Sequence, residues 1–367
     1  MVRENKLAEH KKNSFDSSLS GAHILNPTKI NLGYNLYDGK LIDEEGKLIK
    51  EWPYKYLGLI QNDGSYIAQK HYESKEWGKF TRDCKQIWIS EVPIHHDIII
   101  TPKGNIMTLT KEMHRYRGRN VDFCVIVEFN QDGKELWRWS SWTNLKKLKK
   151  LHKSLELDMP KLLFFDIVKK KPITLWGGNY DYYRFNSLQI IPENNLNDKR
   201  FQEGNILVSA RHGSIIFILD KDSKDIVWLI SQNDVKDNIE GQHSVQMLKN
   251  GRLLIFDNGR YRGWSRVIEL DPITRDILWE YKSDNFFTLS QGYAQRLANG
   301  NTLITESEKG HVFEVGREGE KVWEYYHPEI QNKDNSPDHK ESWGSRQWIY
   351  RMLRYQKEFI ENFQQKK

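Results

Sequence analysis

Hydrophobic and polar positions along this chain fall into short alternating runs broken by turn residues. The clearest is Gln242 to Gly259, QHSVQMLKNGRLLIFDNG. Val245 and Met247 alternate with Ser244 and Gln246, the period-two pattern of a half-buried strand. Lys249-Asn250-Gly251 then supplies turn chemistry and RLLIFD returns, so the stretch predicts a β-hairpin. His243 opens its first strand, eight residues before Gly251.

The frame repeats in YLGLIQNDGSYIAQ, HHDIIITPKGNIMTL, NSLQIIPENN with EGNILVSA, and YAQRLANGNTLITES. A second pattern is interleaved with it: an acidic or glycine turn, then an apolar strand closing on tryptophan. It occurs at Trp52, Trp88, Trp137, Trp228, Trp279 and Trp323, with spacings of 36, 49, 91, 51 and 44 residues. Short strands recurring at such a period are the mark of a propeller, and six endings predict an all-β, six-bladed β-propeller with the tryptophans at equivalent outer-strand positions. Only five inner hairpins serve six outer ones. The missing inner strand is expected within RQWIYRMLRY, Arg346 to Tyr355. It would close the ring against residues 33–52, so that N- and C-terminal strands meet and no blade edge stays unpaired.

These elements imply one propeller domain over residues 23–355, a polar and disordered N-terminal tail over 1–22, and a C-terminal tail over 356–367. The 91-residue spacing holds a helical insertion around 140–181. There LKKLKKLHKSL places Leu145, Leu148, Leu151 and Leu155 on one helical face, the pattern of an amphipathic helix lying on the propeller.

Composition narrows the function. The chain carries 13 Trp and 17 Tyr, enough aromatic surface to build a core despite its low mean hydropathy. The net charge of +6 is spread along the chain, unlike the clustered Lys and Arg of a nucleic-acid binder. No apolar run is long enough for a membrane span. The N-terminus as given shows no apolar core of a signal peptide, which on sequence alone points to the cytoplasm but leaves the compartment undetermined. Cys84 and Cys124 make neither a disulfide framework nor a metal-binding spacing. His95-His96-Asp97 does not read as a metal site, because adjacent strand residues point to opposite faces. Phosphate loops, dinucleotide fingerprints, zinc-protease motifs and nucleophile elbows are absent.

In a propeller the innermost strand of each blade lines the channel, so residues opening these strands and residues closing the next strands meet at one mouth. Counting eight back from the turn glycine puts His96, His243 and Gly292 in one register, and alignment of NSLQIIPEN adds Asn186. The returning strands bring Arg211, Asp257 with Asn258, and Glu306. Two histidines, an amide, an arginine and carboxylates are expected to converge on one polar funnel.

With these residues the chain resembles the arylsulfotransferase family, the PAPS-independent aryl-sulfate sulfotransferases. HHDIIITPKGNIMTL, NSLQIIP with GNILVSAR, GQHSVQMLKNGRLLIFDNG, YAQRLANGNTLITES and IYRMLRY carry the resemblance over roughly residues 30–355. It implies a six-bladed propeller that moves a sulfuryl group from a phenolic sulfate ester to a histidine and then to a second phenol. His243 matches the transiently sulfated histidine, Arg211 a sulfate-binding arginine, Asn186 a pocket amide and His96 a pocket histidine. Asn258 and Arg184 are expected to border the same pocket. No cofactor or metal is implied, and the expected partners are a small aryl sulfate and a phenol. Members are commonly exported, in contrast to the missing leader here. A second departure lies in DYYRFNS, where the family usually has a histidine two residues before Asn186 and this chain has Arg184. The phenol's proton then needs another carrier, or the fold serves as a non-catalytic propeller binding an anion or a protein partner. A quinone-dependent dehydrogenase shares Trp-rich blades but needs a metal site and usually eight of them.

Overall fold

Each hairpin in the chain becomes half of a four-stranded antiparallel blade, and six such blades close a ring. The computed structural model describes residues 18–72, 74–156, 180–330 and 346–364. Blade 1 consists, from the channel outward, of Leu353–Tyr355, Tyr34–Tyr37, Lys40–Ile42 and Leu48–Glu51. Blades 2 to 6 then follow in chain order, with innermost strands Tyr56–Ile60, His95–Ile100, Phe185–Ile190, His243–Met247 and Tyr293–Arg296.

The C-terminal strand closes the ring as expected, three residues wide, pairing Tyr355 with Tyr34 and Leu353 with Leu36. The N-terminus adds a further strand, Gly21–Ile24, along the outer edge of blade 6. Middle strands such as Ile206–Ala210, Ile215–Leu219 and Leu253–Asp257 are buried at every position. A blade has neighbours on both faces, so these strands are mostly apolar rather than alternating, with the buried polar Ser209 and Asp257 as exceptions.

The turns repeat as closely as the strands. In blades 2, 3, 5 and 6 the glycine amide donates to the carbonyl three residues back, Gly64 to Gln61, Gly104 to Thr101, Gly251 to Leu248 and Gly300 to Leu297, at 2.8–3.0 Å. Gly251 has φ +80°, so the Lys-Asn-Gly turn is a three-residue loop with glycine in the left-handed position rather than a two-residue Asn-Gly turn.

Tryptophan locks blade to blade. The indole N–H groups of Trp88, Trp137, Trp228, Trp279 and Trp323 each donate to a carbonyl between the two outer strands of the next blade: Gln131, Lys221, Pro272, Arg317 and Glu44, at 2.7–3.2 Å. Trp52 breaks the expected equivalence. The five pair with the residue just before a β-bulge, and in blade 1 that place belongs to Lys50, opposite Leu41. Trp52 lies two residues further on and stacks on Tyr66 of blade 2 at 4.5 Å, its buried indole N–H without a partner among the described residues.

The insertion starts as a helix, Leu145–Leu151, whose Leu145 and Leu148 are buried against blade 3. His152 is extended and ends the helix, so Leu155 reaches the core from a 3₁₀ turn while Leu151 stays exposed. Residues 157–179 of the expected insertion, and 1–17 of the expected tail, lie outside the described residues. After the closing strand, Lys357–Gln364 is helical and packs Ile360 on blade 1.

Candidate active site

Inner strands of blades 3, 4 and 5 each carry a bulge near their first residue. His96 and Asp97 stand out of the ladder between the pairs His95–Leu109 and Ile98–Thr108. Asn186 does so between Phe185 and Ser187, and Ser244 between His243 and Val245. His96 and Ser244 take left-handed backbones, φ +63° and +45°, each costing about 1–3 kcal/mol that the surrounding packing must offset. Bulges re-aim side chains, and here they turn four of them into one narrow cavity. His96, Asn186, His243, Ser244, Tyr350 and Arg351 line it.

His243 is almost wholly buried. Its Nδ1 lies 2.7 Å from Asn258 Oδ1 and 3.1 Å from the Gly241 carbonyl. Asn258 Nδ2 donates to the carbonyls of Thr288 and Gln291 at 2.9 and 2.8 Å, which fixes the amide with its oxygen toward the imidazole. Both neighbours of Nδ1 are therefore acceptors, so Nδ1 carries the hydrogen and Nε2 keeps its lone pair. The Gln291 backbone N–H reaches Nε2 at 3.3 Å, a long contact that a stronger partner displaces. Burial first, then the Arg211 charge, push the His243 pKa down to about 3, against the pull of Asn258. The ring is neutral at pH 7. Asp257, an alternative orienting group, is engaged elsewhere, with Arg262 and Arg266 at 2.9 Å and the Glu240 amide at 2.8 Å.

Arg211 and Arg184 do not line the cavity, but the charge of both acts on His243 and His96. The Arg211 amide donates to the Arg184 carbonyl at 3.0 Å, and Arg184 has φ +53°. Both residues are more than nine-tenths buried, and both guanidinium Nε atoms lack a hydrogen-bond partner among the described residues. Burial, then Arg260 and Arg184, push the Arg211 pKa well down. A guanidinium nevertheless stays charged in a protein, so the direction measures positive potential left unneutralised. Asn186 donates through Nδ2 to the Gln242 carbonyl at 2.8 Å, leaving Oδ1 buried and without a partner among the described residues.

Tyr350 and Tyr293 give the cavity its aromatic lining. Tyr350 O–H donates to the His96 carbonyl at 2.7 Å, and Tyr350, Tyr56, Tyr72 and Trp348 form a ring-on-ring cluster with centroids 4.6–6.2 Å apart. Beneath the histidines, Asp97 accepts from the Leu188 amide at 2.8 Å and from Arg351 of the C-terminal segment at 2.5 Å. That buried ion pair spans blades 3, 4 and 1 and floors the cavity. Among the described residues no cluster of three or more His, Cys, Asp or Glu side chains is arranged to hold a metal.

The arylsulfotransferase (ASST) family model matches residues 35–328, which is most of the chain. The chain belongs to the arylsulfotransferase family. Among solved structures, the arylsulfotransferase propeller is similar to a Bacteroides caccae protein of unknown function, with TM-score 0.51 and 14% identity over 89% of this chain and 100% of that one. It also aligns with a virginiamycin B lyase from Staphylococcus aureus at TM-score 0.42 and 14% identity, over 83% of this chain and 88% of that one. No curated protein matches significantly.

Counting from the turn glycine placed His96, His243 and Gly292 of this arylsulfotransferase in register, and alignment added Asn186; all four line one cavity. Glu306 is not part of it: its carboxylate holds Lys309 and His311. The floor pair, the aromatic lining and Glu308 were missed. Glu308 accepts from the Leu289 amide and Ser290 hydroxyl at 2.9 and 2.8 Å, steadying the loop that carries Gln291. IYRMLRY held a signal for the floor, since a strand lining the channel rarely spends an arginine without a carboxylate opposite. His95 and His96 also defeat strand alternation. The bulge turns their rings together, Nδ1 to Nδ1 at 2.8 Å.

Proposed function

We propose that this protein transfers a sulfuryl group from a phenolic sulfate ester to a phenol through a covalent intermediate on His243. The observation that carries this reading is a buried imidazole whose Nδ1 faces the Asn258 amide oxygen, under the charge of two buried arginines whose Nε–H groups have no partner among the described residues. A sulfate ester satisfies both features. Its oxygens accept the Arg211 and Arg184 hydrogens, and its sulfur lies open to the Nε2 lone pair once the Gln291 contact gives way. The aryl ring then points to the Tyr350–Trp348 side.

In the first half, Nε2 attacks sulfur, the N–S bond forms, and the S–O bond breaks with its electron pair on the departing phenolate. In the second half, the acceptor oxygen attacks sulfur and the electron pair of the N–S bond returns to Nε2. Asn258 acts throughout by holding the tautomer. The charge on the transferred group never leaves the arginines, so they stabilise both steps. Neither a nucleotide donor nor a redox cofactor enters the proposed cycle.

The test is intact-protein mass spectrometry after rapid mixing with 4-nitrophenyl sulfate and no acceptor. A single sulfuryl adduct mapping to His243, discharged by phenol, is expected. Turnover without any adduct under rapid quench points instead to direct transfer. Saturable sulfate binding with no turnover favours a non-catalytic anion-binding propeller, the reading to which Arg184 in place of the family's histidine lends weight.

A further inference from the structure

The family's usual histidine two residues before Asn186 is absent, and Arg184 cannot accept a proton. The geometry points to His95 as the residue that fixes His96 as the proton acceptor for the incoming phenol, an assignment that rests on the sulfuryl-transfer reading of the cavity. Three contacts carry it. His95 Nε2 lies 3.2 Å from the Thr110 carbonyl, which only accepts, so that nitrogen bears hydrogen. Burial pushes the His95 pKa down to about 3, helped by the Lys111 charge, so the ring is neutral and its Nδ1 is bare. His96 Nδ1, 2.8 Å away, must then be the donor.

Burial and the neighbouring His95 likewise hold the His96 pKa well below the ordinary value, so His96 is neutral and presents a bare Nε2. That atom has no hydrogen-bond partner among the described residues, on a side chain lining the cavity. Two bare Nε2 atoms thus share one cup; the charges of Arg184 and Arg211 act on both rings, and the Tyr350 hydroxyl holds the His96 carbonyl. The bulge is what allows this, because in a regular strand the rings of adjacent residues leave from opposite faces.

The proton balance is simple. As the acceptor oxygen bonds to sulfur and the N–S bond returns its pair to His243, the acceptor's proton moves to His96 Nε2. The imidazolium so formed keeps donating from Nδ1 to His95, which disperses the charge. In the next cycle the same proton goes to the departing phenolate, and His96 is neutral again. His95 touches no reactant in this scheme; it is a positioning residue.

The test uses two variants of the full chain. His95→Leu removes the acceptor for His96 Nδ1, and His95→Asn restores one through Oδ1. His95→Leu is expected to keep the first-turnover burst of 4-nitrophenol within about threefold while losing about 10²-fold in turnover to a weakly acidic phenol, the usual span for a lost general base. Loss toward a phenol already ionised at the assay pH should be under about fivefold, and His95→Asn should recover at least tenfold. Nitrogen-15 NMR of the imidazoles supplies a readout independent of turnover: His96 protonated at Nδ1 in the wild type, and shifted toward the Nε2-protonated form in His95→Leu. An unchanged His96 tautomer overturns the assignment, as does equal loss across both half-reactions and all acceptors. If the tautomer shifts as expected but wild-type protein transfers no sulfuryl group, the positioning role stands and the proposed reaction falls.

Discussion

The two histidines of the cavity make an instructive pair. His243 and His96 both open inner strands, both sit at bulges and both are held neutral with hydrogen on Nδ1. Their surroundings divide them. The Nδ1 hydrogen of His243 goes to a rigid amide, whereas guanidinium charge from Arg184 and Arg211 acts on both rings. The Nδ1 hydrogen of His96 goes to a second imidazole, and a tyrosine hydroxyl grips its carbonyl. One frame repeated sixfold therefore supplies position, and the Nδ1 partners set the two histidines apart; in the proposed reaction, His243 takes the sulfuryl group and His96 the proton.

The comparison breaks first at His243. His243→Ala should abolish transfer, by about 10⁴-fold or more, because removing a covalent nucleophile removes the route itself. His96→Ala should leave about 10⁻² to 10⁻³ of the rate, the scale of a lost acid–base group. Steady-state turnover of 4-nitrophenyl sulfate with a phenol acceptor measures both. If the two variants lose equally, the division of labour between the histidines is wrong.

Arg211→Ala sharpens the same contrast on the binding side. A charge-assisted hydrogen bond to a buried anion is worth about 1.5–3 kcal/mol, so sulfate affinity by calorimetry should fall roughly ten- to a hundredfold. Tyr350→Phe should leave inorganic sulfate affinity unchanged within twofold.

The smallest expected effect is on pH dependence. The folded pKa of His243 is about 3, below an unfolded value near 6.5. The unfolded chain therefore binds the extra proton between these values. Stability from this group is complete above about pH 6.5 and is lost as pH falls toward 3, at about 1 kcal/mol per pH unit. Burial raises Glu308 to about 7, and its contribution has the opposite sign, lost as pH rises through 7. The clean measurement is the difference between wild type and His243→Gln in urea unfolding at pH 7 and pH 5. The variant should lose less stability on acidification. The adduct-forming rate of the wild type should be level over the same interval, since its imidazole is neutral throughout.

Much of this was legible in the residues, for a physical reason. A propeller repeats one hairpin, and the hairpin is written in local chemistry: turn glycines, apolar runs and a closing tryptophan. Positions counted from Gly104 and Gly251 therefore transfer between blades. What failed to transfer was whatever depends on a bulge or on a non-local partner. Lys50 rather than Trp52 holds the equivalent place in blade 1 because register, not the letter, sets equivalence. The His95–His96 contact, and the choice of Asn258 over Asp257 as the group facing the imidazole, are decided by segments far apart in the chain. So is the pairing of Asp97 with Arg351, whose partners are 254 residues apart.

That last pair sets an order of events during synthesis. Every side chain proposed to hold the anion has left the ribosome well before Arg351 is made, so a nascent chain holds Arg184, Arg211 and His243 yet lacks the floor of the cup. Asp97 has then no cation opposite it and no reason to be dry. The last strand closes the ring and brings Arg351 to Asp97, so under the proposed reaction the sulfuryl-accepting cup is complete only once that strand is made. A chain arrested after residue 345 should accordingly form no His243 adduct, and adding residues 346–367 as a separate peptide should restore it.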